Sequence, residues 1–202
     1  IVGYVGPRDC TDVLVSALTK LEYRGYDSAG IAVFENGKIA VAKTKGRLTD
    51  LTAKMEREGK PQGHAGIGHT RWATHGRPTE DNCHPHNDCH GNIAVVHNGI
   101  IENYKELKQF LIDNERTDFL SDTDTEVVAQ LLDFYYDGNP VRCIRKVLHE
   151  IRGSYALGIV FADRPETVYA VRCESPLIVG QGTGEVFVAS DVPAIIKYTK
   201  DY

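Results

Sequence analysis

No run of apolar residues in this chain approaches the roughly 18–20 that a membrane-spanning helix needs, which excludes a helical membrane protein. Ile1-Val2-Gly3-Tyr4 offers neither the basic n-region nor the apolar h-region of a secretory signal. A surplus of positive charge is also missing. Lys and Arg number 23 against 28 Asp and Glu, a formal charge of −5, so nothing marks a nucleic-acid or anionic-membrane partner. The 5 cysteines, at positions 10, 83, 89, 143 and 173, are odd in number and scattered. That is not a secreted disulfide framework, and a reducing, cytoplasmic setting is expected. Internal repeats and low-complexity tracts are absent too. What is present is ordinary globular composition, 42% hydrophobic and 25% charged over 202 residues, enough for one domain with a real core.

The first third reads as strand, helix, hairpin and helix. Ile1–Gly6 is β-branched and strand-like. Asp9–Glu22 places Val13, Leu14, Ala17, Leu18 and Leu21 on one helical stripe, with Gly25 as a stop. Ala29–Glu35 and Lys38–Lys43 flank Asn36-Gly37, the strongest short hairpin signal. Leu48–Glu58 reads as a surface helix. Ala65–Thr70 and Ile93–His97 are strand-like, separated by a long stretch of turn residues, and such connections are often functional. Helical patterns then cover Asn103–Asp113, Glu126–Tyr136 and Val141–Arg152. Strands follow at Tyr155–Ala162, Thr167–Arg172, Leu177–Gly180 and Val186–Ala189, and Pro193–Tyr202 reads as a short helix or linker. Strands and helices come in blocks rather than strict alternation. This predicts an α+β chain with antiparallel sheets and outer helices, a layered α/β/β/α domain.

Several motifs admit more than one reading. The terminal Ile-Val-Gly is similar to that of activated chymotrypsin-like proteases, but no serine nucleophile stands in the required context, so that reading fails. Seven of eight histidines fall between residues 64 and 97, and Cys83, His86, Cys89 and His90 have metal-like spacing. The set is compressed and lacks a distant second pair, so it reads as a polar loop, with no metal or cofactor expected. Arg71, directly after a strand and beside Trp72, Thr74 and His75, suits a bidentate clamp on a carboxylate. Asn98-Gly99 suits either a hairpin turn or an oxyanion hole at a strand's end. The cap-like Asn103-x-x-Glu106 that follows leaves little room for a return strand, which favours the second. Asp124 lies within a capping box, Thr123-x-x-Glu126. A dipole-complementing role and a role in holding a substrate ammonium both remain open. Gly180-x-Gly182-x-Gly184 reads as a hairpin turn, not a phosphate loop.

Taken in order, these segments resemble a known family. Ile1-Val2-Gly3, residues 23–30 (Tyr-Arg-Gly-Tyr-Asp-Ser-Ala-Gly), residues 69–76 (His-Thr-Arg-Trp-Ala-Thr-His-Gly), His84-Pro85-His86, residues 97–103 (His-Asn-Gly-Ile-Ile-Glu-Asn) and Thr123-Asp124-Thr125-Glu126 together look like the glutaminase domain, a class II glutamine amidotransferase, of glutamine–fructose-6-phosphate aminotransferases. The resemblance spans the whole chain, 1–202, as a single glutaminase domain. Amidophosphoribosyltransferase glutaminases are less similar, with Gln where Tyr26 stands and Tyr-Ser where Trp72-Ala73 stand.

The resemblance implies an N-terminal nucleophile hydrolase fold, a four-layer sandwich with two stacked antiparallel sheets. It implies hydrolysis of glutamine to glutamate and ammonia through a γ-glutamyl thioester. By the same resemblance Arg71, Thr74 and His75 hold the substrate α-carboxylate. Asp124 and the Gly99 carbonyl hold the α-ammonium. The Asn98 amide and Gly99 N–H stabilise the oxyanion, Trp72 and the loop through His75 close the site, and Arg24 supports it. The family's pattern opens Cys-Gly-Ile-Val-Gly, its cysteine serving as nucleophile and that residue's α-amine as base. The given chain starts at the isoleucine of that pattern, and Cys10 sits in a helix entry where it cannot substitute. As given, it is expected to bind glutamine or glutamate without hydrolysing it, and the alternative is a non-catalytic binding module. Sugar-isomerase domains, which bind fructose 6-phosphate in complete enzymes, are the implied partners.

Overall fold

A computed structural model describes residues 1–72 and 79–202. Among them the strands are β1 (Val2–Val5), β2 (Ser28–Glu35), β3 (Lys38–Lys45), β4 (Ala65–Arg71), β5 (His86–Asn87), β6 (Ile93–Ile101), β7 (Gly153–Phe161), β8 (Tyr169–Cys173), β9 (Ile178–Gly182) and β10 (Glu185–Ala189). The helices are α1 (Cys10–Thr19), α2 (Leu48–Glu58), α3 (Tyr104–Asp113), α4 (Asp124–Tyr135) and α5 (Pro140–Glu150). Six strands form one sheet in the order β3-β2-β4-β1-β10-β9 and four form another in the order β5-β6-β7-β8. Every strand pair is antiparallel.

The layering follows from the two-residue side-chain period of strands. On β6, Ile93 and Val95 face a core shared with Val128, Leu131 and Leu132 of α4 and Ile144 and Val147 of α5. The alternate residues Ala94 and Val96, with Ala156 and Val160 of the neighbouring β7, face the other sheet and meet its Ala32 and Ile67. The six-stranded sheet buries Tyr4, Ile31, Val33 and Phe187 beneath Leu14 and Leu18 of α1 and Leu51 and Met55 of α2. The result is helix, sheet, sheet, helix, as the block pattern predicts. None of the described helices is long and apolar enough to cross a membrane.

Several expectations hold in detail. Asn36 and Gly37 both have positive φ, 51° and 79°, the type I′ turn that lets β2 and β3 pair from Ser28↔Lys45 to Glu35↔Lys38. The Gly-rich segment at 180–184 belongs to a hairpin, with Gly180 and Gly182 paired within β9 and Thr183-Gly184 as the turn into β10.

Others are corrected. The first helix ends at Thr19, and its stripe is completed by buried Leu21 ahead of a 3₁₀ turn at Glu22–Arg24, which Gly25 closes. Strand β6 does not stop at His97 but runs on through Asn98 and Gly99 to Ile101, paired with β7 throughout. A two-residue strand, β5, lies within the long turn-rich stretch. The Asn103 side chain does not cap α3. Its Nδ2 donates to Glu150 O at 2.9 Å and its Oδ1 accepts from Arg152 N at 2.8 Å, tying that entry to the end of α5. The tail is not a linker, because Tyr198 stacks on Phe187 and Gln181 N donates to Asp201 O at 2.8 Å.

Candidate active site

A cavity of about 380 Å³ opens where the ends of β1, β4, β6 and β10 meet the start of α4. Its walls include Arg24, Arg71, Trp72, Asn98, Gly99 and Asp124, so the folding of distant segments brings together six of the eight residues singled out in the sequence. The other two, Thr74 and His75, lie outside the described residues.

Each wall residue is placed by its element. Arg71 is the last residue of β4, only 5% exposed, and Ser28 lies opposite it on β2. Asp124 opens α4 and is 6% exposed. Its Oδ2 accepts from the Ile101 backbone N–H at 2.8 Å, which fixes the carboxylate against the end of β6. Thr123 caps the helix by accepting from Glu126 N at 3.3 Å. The reciprocal half of the capping box is absent. The Glu126 carboxylate instead accepts from Leu120 N (2.8 Å), Ser121 N (2.7 Å) and Ser121 Oγ (2.6 Å), bracing the segment that leads into α4. The helix start is thereby free to present Asp124 to the cavity.

Gly99 has φ of 125° within an otherwise extended strand, and a Cβ there would stand 2.0 Å from Ser154 O on β7. Only glycine fits both the dihedral and the space. Beside it, Asn98 Oδ1 accepts from His69 Nε2 at 2.8 Å, which leaves the Asn98 –NH2 as the group that can donate to a ligand. Trp72 is 59% exposed at the rim and meets Tyr26 edge-on with ring centroids 5.5 Å apart. Arg24 is engaged elsewhere, its Nη1 3.0 Å from Asp191 Oδ2, which also accepts from Tyr23 OH at 2.5 Å. It therefore lends positive charge to one edge of the cavity while its guanidinium is anchored to Asp191.

The cavity wall also contains a cluster that sequence reasoning missed as machinery, with His69, His84, His97 and Thr125 in the lining and His86 beside them. His69 stacks on His84 at 4.3 Å and His84 meets His86 edge-on at 4.7 Å. Thr125 Oγ1 accepts from His84 Nε2 and from His97 Nδ1, both at 2.9 Å, while it points its own hydroxyl at Asp124 Oδ1, 3.5 Å away. Burial pushes His69, His84 and His86 well below the usual histidine range, so these imidazoles are neutral. The only sequence signal was the crowding of histidines between residues 64 and 97.

Ile1 also belongs to the wall. Its nitrogen donates to Ser190 Oγ at 3.1 Å, and its carbonyl accepts from Ser190 N at 3.0 Å. Chemically the cavity offers one cationic and one anionic group, both more than nine-tenths buried, and an amide donor beside a backbone kink. That set matches a small zwitterion bearing a carbonyl that acquires negative charge.

Two stacked antiparallel sheets between helical layers define the fold of the N-terminal nucleophile hydrolases. The chain belongs to the glutamine amidotransferase domain family, whose model matches residues 69–197. It is 57% identical over 201 residues to glutamine–fructose-6-phosphate aminotransferase [isomerizing] of Caldanaerobacter subterraneus subsp. tengcongensis, covering 100% of this chain and 33% of that protein. The enzyme of the same name from Pyrococcus horikoshii is 53% identical, covering 99% and 33%. The chain thus spans about a third of the length of these relatives. Among solved structures, a glutamine phosphoribosylpyrophosphate amidotransferase from B. subtilis, complexed with ADP and GMP, superposes with a TM-score of 0.83 at 27% identity. That match covers 98% of this chain and 43% of the other.

Proposed function

We propose that this chain is the glutaminase part of a glutamine–fructose-6-phosphate aminotransferase, releasing ammonia from L-glutamine for a sugar-isomerase part that binds fructose 6-phosphate. The observation that carries the reading is the pairing of buried Arg71 and buried Asp124 in the wall of one amino-acid-sized cavity. Arg71 takes the substrate α-carboxylate, assisted by Thr74 and His75, and Asp124 with the Gly99 carbonyl takes the α-ammonium. Meeting both charged ends selects a free amino acid, because an analogue lacking either end leaves a buried charge unpaired. The γ-amide then lies beside Asn98 and Gly99.

In this reading the nucleophile is the cysteine of a Cys-Gly pair preceding Ile1. Continuing the β1–β4 register, in which Val2 pairs with Gly68, carries those two residues past Thr70 toward Arg71. The cysteine's α-amine removes the thiol proton, sulfur attacks the amide carbon, and the oxyanion is held by the Asn98 –NH2 and Gly99 N–H. Collapse expels ammonia, which carries off the transferred proton, and leaves a γ-glutamyl thioester. Water, deprotonated by the same amine, releases glutamate. An α-amine with an ordinary pKa near roughly 8 exchanges protons readily at neutral pH.

Ammonia and glutamate production by the chain preceded by Cys-Gly tests the proposal. Equimolar products are expected, with a trapped thioester visible by mass spectrometry. N-terminal sequencing of the natural protein decides against the runner-up. A protein lacking that cysteine yet binding glutamate is a binding module with the same pocket.

A further inference from the structure

We propose that Cys89, His90 and Asp133 form a binding site for a borderline-soft divalent cation of the zinc type, at the surface and apart from the glutamine cavity. Of the four residues whose spacing suggests a metal, the structure separates two. Cys83 is buried with its Sγ donating to Thr79 O at 3.0 Å, and His86 is buried with its Nε2 3.1 Å from Thr123 Oγ1. Cys89 and His90 turn outward, and folding supplies the distant partner that the sequence pattern lacked, Asp133 near the end of α4.

The geometry is that of a ligand set. Cys89 Sγ is 3.3 Å from His90 Nδ1, His90 Nδ1 is 3.3 Å from Asp133 Oδ1, and Cys89 Sγ is 3.9 Å from Asp133 Oδ2. A zinc tetrahedron with bonds of about 2.0–2.3 Å has edges of roughly 3.3–3.6 Å. Both edges at His90 Nδ1 already match, and one ligand atom from each residue lies within 4.8 Å of the others, so a small closure of sulfur on the carboxylate lets them share one ion. Thiolate, imidazole and carboxylate together suit zinc rather than magnesium or calcium, which prefer all-oxygen shells. Because Cys89 and His90 are exposed, water can complete the tetrahedron.

The ligands are also held in place independently. The Asp88 carboxylate, fully buried, accepts from Ile93 N at 2.6 Å and from His90 N at 3.0 Å, fixing the turn that carries Cys89 and His90. Asp133 is fixed by the packing of α4 on β6. Arg116 contributes a competing positive charge, with Nη1 2.7 Å from Asp133 Oδ2 and 3.7 Å from Cys89 Sγ. It bonds one carboxylate oxygen and leaves Oδ1, beside His90, for the ion. With the Cys89 thiolate, Asp133 and Asp88 as anions, a dication and Arg116 are together balanced. Asp133 lies nine residues along α4 from Asp124, roughly 13 Å at 1.5 Å per residue, which separates this site from the cavity.

Titration of zinc against a chromophoric chelator, using protein first stripped of metal, tests the proposal. One zinc per chain is expected, with affinity at least tenfold weaker in each of Cys89→Ser, His90→Ala and Asp133→Asn. Replacing the other exposed thiol, Cys173→Ser, should change nothing. Cobalt should give a sulfur-to-metal charge-transfer band that only Cys89→Ser abolishes. The site is overturned if zinc uptake is the same in all three variants, or if cobalt gives no thiolate band in the parent protein. Neither readout depends on glutamine turnover, so the inference stands or falls apart from the glutaminase proposal.

Discussion

At the scale of single residues, Arg71 carries the largest expectation. Its guanidinium is 5% exposed in the cavity wall, and a substrate carboxylate there gains two parallel charge-assisted hydrogen bonds. Removing one partner of a buried charged pair costs about 2–5 kcal/mol, roughly a 30- to several-thousand-fold loss of affinity. Arg71→Ala is therefore expected to abolish measurable L-glutamate binding in calorimetry. Arg71→Lys, which keeps the charge without the planar fork, should recover only part of it. Unchanged affinity in Arg71→Ala would remove the carboxylate site from this cavity. Asn98 illustrates a second kind of dependence, since its amide orientation is set by His69 rather than by its own strand.

At the scale of elements, β6 joins fold and chemistry. Its first five residues supply two cores, and its last four carry Asn98 and Gly99 past the cavity. Gly99→Ala would place a methyl group against the Ser154 carbonyl at a φ that side chains avoid, a strain of about 1–3 kcal/mol before any displacement of β7. The expected result is a lowered thermal midpoint together with lost glutaminase activity. A fully active and equally stable Gly99→Ala would show that the kink is dispensable. This strand also marks where the sequence was readable and where it was not. The apolar run Ile93, Ala94, Val95 and Val96 announces a strand, but Asn98-Gly99 is a strong local signal for a turn, and it is pairing with Gly153–Ala156 that carries the strand on to Ile101. Leu48–Glu58 was legible to its ends because a helix on the surface is decided by its own periodicity. Helix α1 was not, since a 3₁₀ turn buries Leu21 on the same stripe that an α-helix would. Of the cavity, Arg71, Asn98 and Asp124 stood out as candidates in local motifs, but which part of a substrate each holds came only from the family resemblance. Thr125 and His97 could not, because their importance comes from sharing one hydroxyl across two elements.

At the scale of the whole molecule, the buried histidines make stability depend on pH. His69, His84 and His86 sit between the sheet ends and α4, and burial, the largest cause for each, holds all three well below the ordinary histidine value of 6.5. The Lys43 ammonium adds to this for His86. In the unfolded chain the same side chains titrate normally, so below pH 6.5 the unfolded state binds more protons than the folded one. Stability is thus fully present above that value and is lost as pH falls through it, each group contributing up to about 1.4 kcal/mol per pH unit until its folded pKa is reached. Carboxylates held below their usual range, Asp137 and Asp191, act only at lower pH because an ordinary aspartate already titrates at 3.8. Urea unfolding between about pH 7.5 and about pH 5 therefore isolates the histidines. The midpoint should be level at the upper end and fall steeply below 6.5, with an unchanged slope on denaturant. His84→Gln, which keeps a donor for Thr125 without a titrating ring, should flatten part of that fall. A midpoint independent of pH across this range would mean that the imidazoles exchange protons freely in the folded state, and the packed cluster in the cavity wall would then have to be open to water.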